Sequence, residues 1–111
     1  MATVCLETDS NNSDWLDIEC IYPFNWEIFT DADWATLNTI YTKLPDYQSI
    51  TQNSEDSLPR WFSRIDNPKQ GFLWASVEPP GLQVVGTLPK DTWQAWDEQL
   101  RAEIAILPFR T

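Results

Sequence analysis

An α+β fold is what this sequence predicts: an antiparallel sheet of four to five strands, built from two hairpins, with two main helices packed on one face. Three observations carry that expectation. Apolar and polar residues alternate through 16–22, two β-rich runs flank Pro79-Pro80-Gly81, and apolar residues recur at helical spacing in 34–44 and 93–107. A length of 111 residues fits one domain, 1–111, large enough to bury a self-sufficient core.

Taken in order, residues 3–8 (Thr-Val-Cys-Leu-Glu-Thr) read as a short strand with Val4 and Leu6 on one face. Residues 16–22 place Leu16, Ile18, Cys20 and Tyr22 on one side and Asp17 and Glu19 on the other. The turn formers in 9–14 connect the two as a hairpin. If both apolar faces coincide, Cys20 faces the core and Cys5 faces away, so the two are expected not to bridge. Reduced thiols then fit a cytoplasmic setting.

Residues 22–29 are strongly aromatic, with Phe24, Trp26 and Ile28 alternating against Asn25 and Glu27. Pro23 limits this stretch to an edge strand or an extended arm. A helix is expected next, capped by Thr30, with Asp31 and Asp33 in its first turn, where the helix dipole favours carboxylates. Trp34, Leu37, Ile40, Tyr41 and Leu44 form its apolar stripe, and Pro45 ends it. Residues 46–57 are polar and loop-like. The spacing of Leu58, Trp61, Phe62 and Ile65 predicts a short helix over 57–65. Residues 72–78 and 82–88 are strands joined by a bulged or three-residue loop at Pro79-Pro80-Gly81. A last helix is expected to open around Pro89 to Asp91, where Asp91 and Gln94 offer a capping box. Its buried stripe is Trp93, Trp96, Leu100, Ile104 and Leu107.

Chemistry is chiefly limited by what is missing. Histidine does not occur, which removes Ser-His-Asp and Cys-His nucleophilic arrangements. The three glycines are scattered, so no phosphate-cradling loop exists. Asp9-x-Asn11-x-Ser13 resembles the start of a calcium loop, but Asp14 replaces the turn glycine and Cys20 the bidentate glutamate. The pairs Asp31/Asp33 and Asp17/Glu19 are explained by helix capping and a solvated strand face. The expectation is therefore no enzyme, no catalytic residue, no cofactor and no metal.

Charge is the most informative bulk property. Net charge is −10, and residues 1–58 hold eleven carboxylates against Lys43 alone, whereas 59–111 hold six acids and six bases. Such a half repels a phosphate backbone, so direct nucleic-acid binding is not expected, while a basic protein surface is its complement. Net charge also serves solubility by itself. No run of residues is long and apolar enough for membrane insertion. The N-terminus has no signal-peptide pattern, and the protein is expected in the cytoplasm.

Seven tryptophans are the compositional anomaly. Trp34, Trp74, Trp93 and Trp96 suit core positions, whereas Trp15, Trp26 and Trp61 lie beside loops or in the aromatic arm. Tryptophan is favoured in binding hot spots because it offers a large rigid apolar surface with one donor. The candidate partner-binding set is accordingly Trp15, Asp17, Glu19, Phe24, Trp26, Glu27, Asp31, Asp33 and Trp61. The function expected is a non-catalytic, protein-binding adaptor, regulator or assembly factor. Its binding should weaken with salt, and more with Trp26→Ala than with Glu27→Ala. Alternatives are a nucleic-acid-mimicking inhibitor or immunity-type protein, and an intracellular carbohydrate or small-ligand binder.

Overall fold

The computed structural model describes residues 3–9, 14–48, 59–63 and 69–109. The strands are β1 (Val4–Asp9), β2 (Trp15–Tyr22), β3 (Tyr47–Gln48), β4 (Arg60–Trp61), β5 (Phe72–Glu78) and β6 (Gly81–Pro89). The helices are α1 (Asp31–Lys43) and α2 (Lys90–Ile104), with a 3-10 turn at Trp26–Ile28. All six strands form one antiparallel sheet in the order β1-β2-β6-β5-β4-β3. The class is α+β, as expected, with a sheet slightly larger than expected because of the two-residue strands β3 and β4.

Register explains the layering. Leu16, Ile18, Cys20 and Tyr22 of β2 stand beside Leu88, Gly86, Val84 and Leu82 of β6, and next to Leu73 and Ala75 of β5. With the exception of Gly86 these residues join Leu37, Ile40, Tyr41 and Leu44, and the stripe Trp93, Trp96, Leu100, Ile104 and Leu107, in one hydrophobic core. The alternation in β2 and the helical spacings thus place both helices on the same sheet face. Gly86 is needed there, because a Cβ would come within 2.0 Å of the Phe72 carbonyl oxygen.

Five expectations are corrected. The first is the register of β1. Cys5 lies directly opposite Cys20, 4.0 Å away between Cα atoms, and the two are joined as a disulfide. Val4 and Leu6 turn to the uncovered side and are each 61% exposed. The reason is polar. The odd residues of β1 meet donors of α2: Glu7 accepts from the Trp93 indole N–H, Asp9 pairs with Lys90 at 3.6 Å, and Arg101 reaches Cys5 Sγ at 3.7 Å. These contacts favour that face for Cys5, Glu7 and Asp9, and two aliphatic side chains are left in solvent.

Second, no helix forms around Trp61: Arg60 and Trp61 are extended and pair with Trp74 and Leu73. Trp61 is completely buried and donates its indole N–H to the Tyr41 carbonyl at 3.0 Å, a tertiary contact that overrides the local periodicity. Leu58 and Ile65 lie outside the described residues, as do 10–13 of the first hairpin loop. Third, Tyr47 and Gln48, in the stretch read as loop, are β3 and pair with Trp61 and Arg60. Fourth, Glu78 pairs with Gly81, so the β5–β6 loop is only Pro79-Pro80 and Gly81 belongs to the strand. Gly81 has φ +150°, and a Cβ there would lie 2.1 Å from the Tyr22 carbonyl oxygen. Fifth, the capping box at Asp91 and Gln94 is not used. β6 runs straight into α2, Pro89 is the N-cap without a side-chain bond, and the Lys90 N–H donates instead to the Asp14 carbonyl at 2.8 Å. The capping at α1 does form: Asp33 N–H donates to Thr30 Oγ1 at 3.1 Å, and Thr30 N–H to Asp33 Oδ2 at 3.0 Å.

Candidate binding surface

Antiparallel strands send alternate residues to opposite faces, so whatever stands between the core residues of this sheet faces away from the helices. Directly opposed residues form rows across that second face. One row crosses all six strands: Leu6, Glu19, Val85, Trp74, Arg60 and Gln48. On one side of it lie Val4, Ile21, Gln83 and Ser76, and on the other Thr8, Asp17, Thr87 and Phe72. A shallow depression of about 340 Å³ opens at the β1 side of this face, floored by Val85 and Thr87 and rimmed by Leu6, Asp17, Glu19 and Phe72. Among the described residues, only sheet residues line it.

Two carboxylates stand on this face, Glu19 inside the long row between Leu6 and Val85, and Asp17 in the row beside it. Glu19 accepts from Gln83 Nε2 at 3.0 Å, and Asp17 accepts from Thr87 Oγ1 at 2.9 Å. Both are exposed, and these neighbours on β6 hold them in place across the sheet. The result is a face on which Leu6, Val85 and Trp74 stand among oriented carboxylates on the β1 side, with Arg60 following Trp74 on the other.

The nine residues singled out from the sequence fall into three places. Trp15, Asp17 and Glu19 lie on the open face, Trp15 half-buried opposite Pro89. Trp26, Glu27, Asp31 and Asp33 lie at the corner between β2 and α1. There the half-buried Trp26 ring stacks on Trp34 with centroids 5.1 Å apart, and its indole N–H donates to the Glu78 carbonyl at 2.7 Å. Phe24 and Trp61 are at 0% exposure and have no surface to offer a partner. Phe24 bridges to Phe109 and packs against its ring, tying the C-terminal segment to this corner. The aromatic arm therefore packs the end of the molecule. Acidic residues also spread further than their sequence positions imply. Glu7 points toward α2, Asp17 and Glu19 line the opposite sheet face, and Asp31 and Asp33 start α1.

Sequence reasoning missed Val4, Leu6, Trp74 and Val85 as surface residues. Val85 owes its place to the pairing of β2 with β6, two strands distant in sequence, which sets the odd residues of β6 beside Asp17 and Glu19. The signal for Val4 and Leu6 was hidden by the assumption that aliphatic residues in β1 face the core.

At the inner edge of β1 a second group of polar residues surrounds the disulfide. Tyr22 donates to Asp97 Oδ1 at 2.6 Å, Arg101 Nε reaches both Asp97 oxygens at 2.9 and 3.0 Å, and the guanidinium lies 5.6 Å from the Tyr22 ring centroid. Burial first, and then the hydrogen bond to Asp97, push the Tyr22 phenol far above its ordinary range, which keeps it a donor. Among the described residues, no group of three or more His, Cys, Asp or Glu is arranged to hold a metal ion. No helix of the described residues is long and apolar enough to cross a membrane. Compared with protein-family models, curated proteins and solved structures, the chain matches none of them at a significant level.

Proposed function

We propose that this chain is a non-catalytic adaptor, regulator or assembly factor that receives a basic protein partner on the open face of its sheet. The observation that carries this reading is the open sheet face, on which exposed Leu6 and half-buried Val85 and Trp74 lie beside the carboxylates of Glu19 and Asp17. An apolar strip supplies binding free energy through burial, and adjacent charge selects and orients a partner of opposite sign. The net charge of −10 speeds the encounter with such a partner at low salt.

The test is capture of partners from cell extract by three immobilised forms: the parent chain, Val4→Lys/Leu6→Lys, and Ile28→Lys/Ile106→Lys. All four positions are exposed, at 61%, 61%, 57% and 79%, so the fold tolerates the changes, and both variants add the same charge. A basic protein held by the parent and by the Ile28/Ile106 variant, lost from the Val4/Leu6 variant and eluted by salt, is the expected result. Equal capture by both variants, or capture unaffected by salt, rejects the open face as the site.

A further inference from the structure

We infer that Cys5 is a thiol–disulfide exchange site, the thiol that reacts with a small-molecule disulfide, and that Cys20 is the buried thiol that resolves the adduct. The two sulfurs are bonded across β1 and β2, yet their surroundings differ. Cys20 is fully buried in the middle of the sheet, whereas Cys5 is half-buried on its edge strand. An incoming reagent therefore reaches Cys5 first.

The second difference is charge. Arg101 Nη2 stands 3.7 Å from Cys5 Sγ. The guanidinium is held there by Asp97, which accepts from Arg101 Nε and from the Tyr22 hydroxyl. Glu7, two residues along β1, is engaged by the Trp93 indole N–H. Of these charged groups, only the guanidinium touches the sulfur, and a cation in contact favours the thiolate, which is the nucleophile in exchange.

In the reduced protein the Cys5 thiolate attacks one sulfur of a disulfide such as glutathione disulfide. The reagent's S–S bond breaks, one glutathione leaves as thiolate and is protonated, and Cys5 carries the other. Cys20, directly opposite, then loses its proton and attacks Cys5 Sγ, expelling the second glutathione. The two protein thiols are oxidised to one disulfide, and the reagent is reduced to two thiols. Reversal with excess glutathione opens the bond by the same two steps. What is switched is the tether of β1, the strand that supplies Val4 and Leu6 to the open face.

The inference does not depend on the docking reading, and its experiment involves no partner. Reduced protein is mixed with glutathione disulfide and followed by intact mass. Folded Cys20→Ser is expected to take up one glutathione, on Cys5, while folded Cys5→Ser takes up none until denaturant exposes Cys20. Adding Arg101→Gln to Cys20→Ser slows the uptake about threefold, because the loss of thiolate is partly offset by greater nucleophilicity, and Arg101→Lys restores part of the rate. A brief pulse of iodoacetamide on the reduced parent chain needs no substitution, and is expected to label Cys5 well before Cys20. Equal labelling of the two cysteines, adduct on folded Cys5→Ser at the rate of Cys20→Ser, or no effect of Arg101→Gln overturns the proposal.

Discussion

Tyr22 shows how one side chain ties several parts of this molecule together. Its ring is in the core, its hydroxyl donates to Asp97, and Arg101 lies over its face. The folded state raises its pKa, so the contribution to stability is complete below about pH 10 and is lost as pH rises above it, when only the unfolded chain ionises readily. Tyr41 acts in the same direction, through burial first and then the neighbouring Tyr47. Tyrosinate absorbance should therefore show two of the three tyrosines ionising only as the protein unfolds in alkali. Tyr22→Phe should lower stability at neutral pH by about 1.5–3 kcal/mol, the worth of a hydrogen bond to a charged group, and make alkaline unfolding less steep. Gly86 is a second residue-scale test. Gly86→Ala puts a methyl against the Phe72 carbonyl and should cost about 1–3 kcal/mol by chemical denaturation.

At the scale of elements, what was legible in the sequence followed from strong periodicity. The alternation in β2, the Pro79-Pro80-Gly81 turn and the stripes of α1 and α2 all lead to elements that exist and bury the expected faces. Thr30→Ala removes one half of the α1 capping box and should cost about 1 kcal/mol in denaturant unfolding. What was not legible depends on partners distant in sequence. Nothing within 57–65 announces that Trp61 donates to a carbonyl on α1, and nothing within 3–8 announces that α2 offers donors to Glu7 and Asp9. The face of β1 was set by those contacts, and with it the disulfide. That bond closes a separation of 15 residues, so reducing it should lower stability by about 3 kcal/mol in the chain-entropy account. Because β1 pairs only with β2 among the described strands, hydrogen exchange should accelerate in β1 before β5 or β6.

For the whole molecule, the sheet divides the chemistry. One face is sealed by two helices and by buried aromatic residues that include Tyr22, Phe24, Tyr41, Trp61, Trp93 and Trp96, so packing accounts for part of the aromatic content. The other face leaves Leu6 exposed and Val85 and Trp74 half-buried among carboxylates fixed from β6. Of the nine candidate residues read from the sequence, Trp15, Asp17 and Glu19 reach this face because β2 alternates. The aromatic arm does not, because it turns inward to close the end of the core. Charge concentrated in the first half of the chain becomes charge distributed over the folded surface, so local apolar exposure, and not the sequence asymmetry, distinguishes the open face for the docking we propose.

Site-directed photo-crosslinking reads that face directly. A photoreactive side chain at position 6 and another at position 106 replace two exposed aliphatic residues on opposite sides of the sheet, Leu6 at 61% and Ile106 at 79%. Adducts with a basic protein from position 6, suppressed by salt and absent from position 106, are the result this structure predicts. Adducts from position 106 with none from position 6 would contradict it.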